Sequence, residues 1–151
     1  LLFIFSVTAP SNYSTNQAGA VTPFKMANEY GTMALMAHNT KAGAYFDDLV
    51  VGDDILLIYD GYNIKYEVTE LVKYDAFSPL DPWSNFRLSG GNEVITSADL
   101  FLLIYGVRDG RLVLQTCYDG SNGRLFILAY PKEDGPVNTR KTETDIVRGM
   151  R

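Results

Sequence analysis

Four short apolar runs, each closed by turn-forming residues, constrain this chain more than any other feature. Residues 32–37 (TMALMA), 54–59 (DILLIY), 111–117 (RLVLQTC) and 124–130 (RLFILAY) have the length of buried strands and are shorter than a typical helix. They stop at His38-Asn39-Thr40, Asp60-Gly61, Tyr118-Asp119-Gly120 and Pro131. Asp60-Gly61 is a type I′ hairpin signal. Behind it Tyr62, Ile64, Tyr66 and Val68 alternate with Asn63, Lys65, Glu67 and Thr69, a period of two that predicts a half-buried strand. Many short strands and few helix signals predict an all-β barrel or sandwich, with functional residues at strand ends and in loops.

The intervening segments are less regular. Residues 1–7 (LLFIFSV) suit either a first strand or the tail of a removed anchor or signal segment, being too short to span a bilayer. Residues 10–31 are rich in Ser, Thr, Asn and Gly and read as a long connection. Residues 44–49 suit one helical turn. Residues 73–92 hold two prolines, two adjacent glycines and the single tryptophan, Trp83, and read as a long surface excursion. Ser97, with Leu100, Leu103 and Ile104 at helical spacing and Gly106 behind, suits a short capped helix, although residues 102–107 could instead pair with the next strand across Asp109-Gly110.

The two runs 111–117 and 124–130 are separated by the six residues 118–123, which predicts a hairpin. Pairing outward from that loop sets Cys117 opposite Arg124, and directly opposed residues of antiparallel strands share a face. Cys117 is the only cysteine and His38 the only histidine among 151 residues. An intrachain disulfide is therefore impossible, and a Cys/His structural zinc site lacks its four ligands. Taken singly, a free cysteine is usually a small buried hydrophobe and a lone histidine a structural or surface residue. A guanidinium beside a thiol at a strand end changes that reading, because a cationic neighbour favours thiolate.

Charge narrows the partners. With 13 Lys and Arg against 18 Asp and Glu the net charge is −5, and no basic cluster offsets it, so nucleic acid is not an expected partner. Asp47, Asp48, Asp53 and Asp54 match no EF-hand spacing, and no metal is expected. No Gly-x-Ser-x-Gly elbow surrounds any serine. The sequon Asn12-Tyr13-Ser14 matters only in a eukaryotic secretory pathway.

Several of these pieces together resemble one family. Val113-Leu114-Gln115-Thr116-Cys117 resembles the sortase signature Thr-Leu-x-Thr-Cys, and Gly123-Arg124-Leu125-Phe126-Ile127 the arginine strand that follows it. Ala34-Leu35-Met36-Ala37-His38 is similar to the apolar strand ending in the sortase histidine. Ala44-Tyr45-Phe46-Asp47-Asp48-Leu49, then Val51-Gly52-Asp53, resembles the family's Phe-x-x-Leu and Gly-Asp stretch. The pieces keep family order over roughly residues 32–131. Val113 stands where the signature has threonine, and Ala37 where glycine commonly precedes the histidine.

The resemblance implies a sortase-like eight-stranded β-barrel with short helical turns and a long loop excursion, residues 1–131, followed by a polar tail, residues 132–151. It implies a cysteine transpeptidase with Cys117 as nucleophile, His38 as general acid and base, and Arg124 steadying substrate or oxyanion. Thr116 would add a hydrogen bond to substrate or simply pack between strands. No cofactor is implied. The implied partners are the sorting-signal peptide of a secreted protein and an amine acceptor of cell wall or pilin, at the extracellular face of a bacterial membrane. Any membrane attachment would come through a segment absent from this chain. A thiol peptidase of the same fold, or a noncatalytic β-barrel binding module, are the alternative readings.

Overall fold

A computed structural model of the chain describes residues 1–7, 20–59 and 61–132. The sequon at Asn12, the turn residue Asp60 and the tail 133–151 lie outside the described residues. Among the described residues nine strands occur in chain order: β1 (Leu2–Val7), β2 (Ala20–Pro23), β3 (Met33–Met36), β4 (Asp54–Tyr59), β5 (Tyr62–Ala76), β6 (Phe86–Leu88), β7 (Val94–Ile95), β8 (Leu112–Tyr118) and β9 (Gly123–Pro131). The helices are α1 (Lys25–Glu29) and α2 (Ser97–Tyr105), with a 3₁₀ segment over Ala42–Asp48.

The strands form one sheet ordered β4-β1-β2-β3-β8-β9-β5-β6-β7, and β4 also pairs with β5. That pairing closes seven strands into a barrel and leaves β6 and β7 appended to β5. Closure removes the open edges that a flat sheet of this size would expose. The hairpin expected at Asp60-Gly61 is present, with Tyr59 facing Tyr62 and Gly61 at φ +77°. The first segment is a strand, parallel to both β2 and β4.

Two expectations need correction. The connection over residues 10–31 contains the buried strand β2 and helix α1. Neither has a periodic signature, because β2 is four residues long and α1 five. What holds α1 is tertiary: Ala27 is fully buried, and the buried Asn28 carboxamide accepts a hydrogen bond from the Ala34 amide at 3.0 Å. The excursion over residues 73–92 is shorter than its composition suggests. Residues 73–76 continue β5, and β6 pairs back on it through Tyr74–Leu88 and Ala76–Phe86. Only residues 77–85 form the loop between them. The helix at Ser97 is present, but its cap is Thr96, whose hydroxyl accepts from the Asp99 amide at 3.1 Å.

Alternation along the strands sorts the core into two compartments. Leu35, Leu112, Leu114, Leu125 and Ile127 face the barrel interior, where Phe46 and Leu49 plug it from the 3₁₀ segment. Ala34, Val113, Phe126 and Leu128 face outward, and α2 covers them with Leu100, Ile104 and Tyr105. The outer face of β3, β8 and β9 is thus apolar beneath α2 and open at the far end of β8, where Cys117 lies.

Candidate active site

The β8–β9 hairpin sets the geometry of the site. Its register runs from Leu112–Ala129 to Tyr118–Gly123 without a break and pairs Cys117 directly with Arg124. The turn is tight, with Asp119 and Gly120 both at positive φ and the Asn122 amide donating to the Asp119 carbonyl at 3.1 Å. Gly123 is required there because the Tyr118 ring occupies the space a β-carbon would take, with Cζ 2.2 Å from that position. Alternation places Cys117 on the same outward side as Val113 and Gln115. It is half-buried and forms no disulfide.

His38 reaches the same end of the sheet from β3. Strands β3 and β8 run parallel, with Met36 paired to Gln115 as their last bridge. His38 and Cys117 each stand two residues beyond that bridge (38 − 36 = 117 − 115), His38 in the turn that follows β3 and Cys117 still within β8. His38 is exposed. Among the described residues no hydrogen bond joins its ring to Cys117.

The Arg124 guanidinium is held by backbone carbonyls. Its Nη1 donates to Ser121 at 2.8 Å and Gly123 at 3.1 Å, and its Nη2 donates to Pro79 at 2.9 Å. Three of the five N–H donors are thereby engaged, leaving Nε and one Nη2 hydrogen. Across the sheet Arg124 also faces Tyr74 of β5, so Tyr74, Arg124 and Cys117 form one row over three strands. An open groove of about 680 Å³ lies between β5 and α2, lined by Tyr74, Val72, Leu128, Leu103 and Ile104 together with the charged Glu70, Lys73 and Arg111; of the row it includes Tyr74 and neither Arg124 nor Cys117. Burial, with smaller contributions from Glu93 and Glu70, raises the Tyr74 phenol above its ordinary range.

Thr116 sits on the barrel side, 4% exposed, and its hydroxyl donates to the Ala37 carbonyl at 2.8 Å. Sequence reasoning missed two further residues. Asn39 donates from Nδ2 to the Gly120 carbonyl at 2.9 Å, tying the turn after β3 to the β8–β9 turn. Gly43 packs against Thr116 Oγ1 and the His38 carbonyl. Asn39 had a signal in its position next to the lone histidine, whereas nothing in the sequence distinguishes Gly43. The acidic residues have local uses: Asp47 pairs with Lys73 at 3.2 Å, Asp53 accepts from the Val50 amide at 2.9 Å, and Asp54 pairs with Lys132 at 3.1 Å. Among the described residues no group of three or more His, Cys, Asp or Glu side chains gathers as a metal site.

A sortase-domain family model matches residues 5–132, which covers β2 to β9, the last three residues of β1 and all the site residues above. The chain belongs to the sortase family. Solved sortases are similar at low identity. Sortase A from Corynebacterium diphtheriae is 18% identical over 68% of this chain and 41% of its own, with a TM-score of 0.41. Sortase C1 of GBS Pilus Island 1 is 17% identical over 73% and 47%, with a TM-score of 0.43. Sortase C from Clostridium perfringens SM101 is 15% identical over 87% and 62%, with a TM-score of 0.46. This sortase-family chain therefore spans between about two fifths and just over three fifths of the lengths of those proteins. No curated protein shows significant sequence similarity to it. Among its described residues no helix is long and apolar enough to cross a membrane.

Proposed function

We propose that this sortase-family chain is a cysteine transpeptidase with Cys117, His38 and Arg124 as its catalytic residues. The observation that carries the reading is one of register: the one thiol lies directly opposite the arginine, and the thiol and the one imidazole each follow the last β3–β8 bridge by two residues. In the first half-reaction Cys117 Sγ, as thiolate, attacks the scissile carbonyl carbon. A C–S bond forms and the carbonyl oxygen takes the negative charge. The C–N bond then breaks, His38 delivers a proton to the departing amine, and a thioester acyl-enzyme remains. In the second half an incoming amine attacks the thioester, His38 takes its proton, and the C–S bond breaks to restore the thiolate. The two free N–H groups of Arg124 are suited to the developing oxyanion, which a planar fork can hold in two places.

The substrate class rests on the family: a sorting-signal peptide of a secreted protein, bound in extended form, with the open groove beside β5 reaching the row of Cys117 and Arg124 only at Tyr74. The acceptor is an amine of cell wall or pilin, and the reaction takes place at the extracellular face of the bacterial membrane. The test is to incubate the protein with a sorting-signal peptide and look by mass spectrometry for an acyl adduct on Cys117, then to compare release by an amine with release by water. An adduct released faster by amine supports the transpeptidase. Release by water alone makes it a thiol peptidase. Absence of the adduct across a peptide library, with wild type behaving like Cys117→Ala, leaves a noncatalytic barrel and ends the proposal.

A further inference from the structure

We infer that Thr116, Gly43 and Asn39 are positioning residues, forming a clamp that sets where His38 stands relative to Cys117. The inference rests on the catalytic reading above for its meaning and on the following contacts for its geometry.

Each reacting residue is preceded by one half of a buried hydrogen bond. Thr116, next to Cys117, donates through Oγ1 to the carbonyl of Ala37, next to His38, at 2.8 Å, and the Ala37 amide donates back to Gln115 at 3.3 Å. The ladder between β3 and β8 ends at Met36–Gln115, so the Thr116 hydroxyl continues it by one step with a side chain in place of backbone. Valine has the same shape as threonine but no donor, and would take this partner from the buried Ala37 carbonyl.

The clamp is closed from the 3₁₀ segment. The His38 carbonyl accepts from the Lys41 amide at 3.0 Å and the Gly43 amide at 2.9 Å, folding the chain back on itself just after the histidine. A β-carbon on Gly43 would lie 2.3 Å from Thr116 Oγ1 and 2.5 Å from the His38 carbonyl oxygen. Any side chain there must displace either the hydroxyl that joins the strands or the backbone that carries the imidazole. Asn39 supplies the outer tie, from the residue after His38 to the Gly120 carbonyl at 2.9 Å. His38 is thus bracketed at positions 37 and 39, and Cys117 at 116 and 120. None of these bonds uses the imidazole or the thiol, so both groups stay available for chemistry while their separation is fixed through the backbone. A proton relay needs that separation, because misplacement of a reacting group by about 1 Å can cost on the order of 10²-fold in rate.

Three variants test the clamp: Thr116→Val, Gly43→Ala and Asn39→Ala, with Thr116→Ser as the conservative control. The expected result is a fall in kcat of about 10- to 100-fold for Thr116→Val and Gly43→Ala with KM little changed, a smaller fall for Asn39→Ala, and recovery in Thr116→Ser. A second readout needs no turnover. His38 is the only histidine, so its imidazole gives a single set of proton resonances, which should shift or broaden in Thr116→Val and Gly43→Ala and return in Thr116→Ser. If Thr116→Val does not fold, Asn39→Ala carries the same test from a half-buried position outside the core. Unaltered imidazole resonances and unaltered kcat in folded variants overturn the clamp, even with an active wild type. A wild type that forms no acyl-enzyme overturns the catalytic reading instead, and the resonances then decide the clamp alone.

Discussion

Arg124 donates from Nη2 to the Pro79 carbonyl at 2.9 Å, so the residue opposite Cys117 also fastens the loop between β5 and β6. That loop, residues 77–85, has its own frame. The Ser78 amide donates to Ser84 Oγ at 2.8 Å, the Trp83 amide to Asp81 Oδ1 at 2.9 Å, and the Phe77 amide to the Asn85 carbonyl at 3.0 Å. It carries Leu80 and Trp83 into solvent, 91% and 78% exposed. One guanidinium therefore lies opposite the thiol and anchors the loop that exposes Leu80 and Trp83.

Arg124→Lys separates these duties from simple charge. A lysine keeps one positive charge but cannot reach two carbonyl directions and an oxyanion together. The expected loss of kcat is on the order of 10²–10³, that of a missing oxyanion donor. Trp83 is the only tryptophan, and its fluorescence anisotropy should fall as the Pro79 tie is lost. Wild-type turnover together with unchanged anisotropy would show that Arg124 has neither duty.

His38→Ala tests the division of labour between imidazole and thiol. With no hydrogen bond between the two side chains, nucleophilicity should survive loss of the imidazole while proton delivery to the leaving amine does not. Turnover should drop on the order of 10²–10⁴-fold, the usual worth of a positioned acid or base. Alkylation of Cys117 by iodoacetamide at pH 9 should continue near the wild-type rate. A variant that turns over normally would remove His38 from the mechanism, and one whose thiol no longer alkylates would show a directly coupled pair.

How much of this was readable in advance depended on sequence distance. The Cys117–Arg124 pairing was legible because a six-residue connection between two apolar runs fixes the register by counting outward. The all-β class was legible from the same runs, whereas a barrel rather than a sandwich was implied only by the family resemblance. The contacts that hold the site were not, because Thr116 reaches a carbonyl 79 positions away and Asn39 one 81 positions away, and only the closed fold brings them together. Strand β2 was hidden for another reason: Thr22 and Pro23 look like loop residues, and their burial comes from neighbours on both sides, β1 and β3. Strand β6 was hidden because only Phe86 of its three residues is buried.

The barrel interior should be intolerant of cavities while its outer β1 face is not. Phe5 is 2% exposed and meets the Phe46 ring edge-on at 5.2 Å, so it links β1 to the segment that plugs the barrel. Phe5→Ala removes a whole ring from a closed interior and should cost about 3–5 kcal/mol in urea unfolding. Its neighbour Ile4 points outward, 53% exposed, and Ile4→Ala should stay within about 0.5 kcal/mol of wild type. Equal losses in the two variants would mean that β1 does not close the barrel in the register found here.

Acid stability should depend on Asp109, at the end of the β8–β9 hairpin remote from Cys117. Its carboxylate accepts from Arg111 Nε at 2.9 Å and Nη2 at 3.0 Å, and from the Tyr130 hydroxyl. The hydrogen bonds from Arg111, more than the opposing effect of burial, hold its pKa down to about 2, with Tyr130 adding to them. In the unfolded chain an aspartate titrates near about 3.9. A pKa lowered on folding stabilises the folded state fully above the unfolded value, and that contribution disappears as the pH falls from about 4 towards about 2. The melting temperature of the wild type should therefore drop more steeply across that window than that of Asp109→Asn, which keeps the side-chain shape without the charge. At neutral pH Asp109→Asn should melt below wild type yet form acyl-enzyme at an ordinary rate, because Arg111 and Tyr130 lie at the other end of the hairpin from the thiol. Parallel melting curves from pH 4 to 2 in the two proteins would remove Asp109 as the acid-sensitive group.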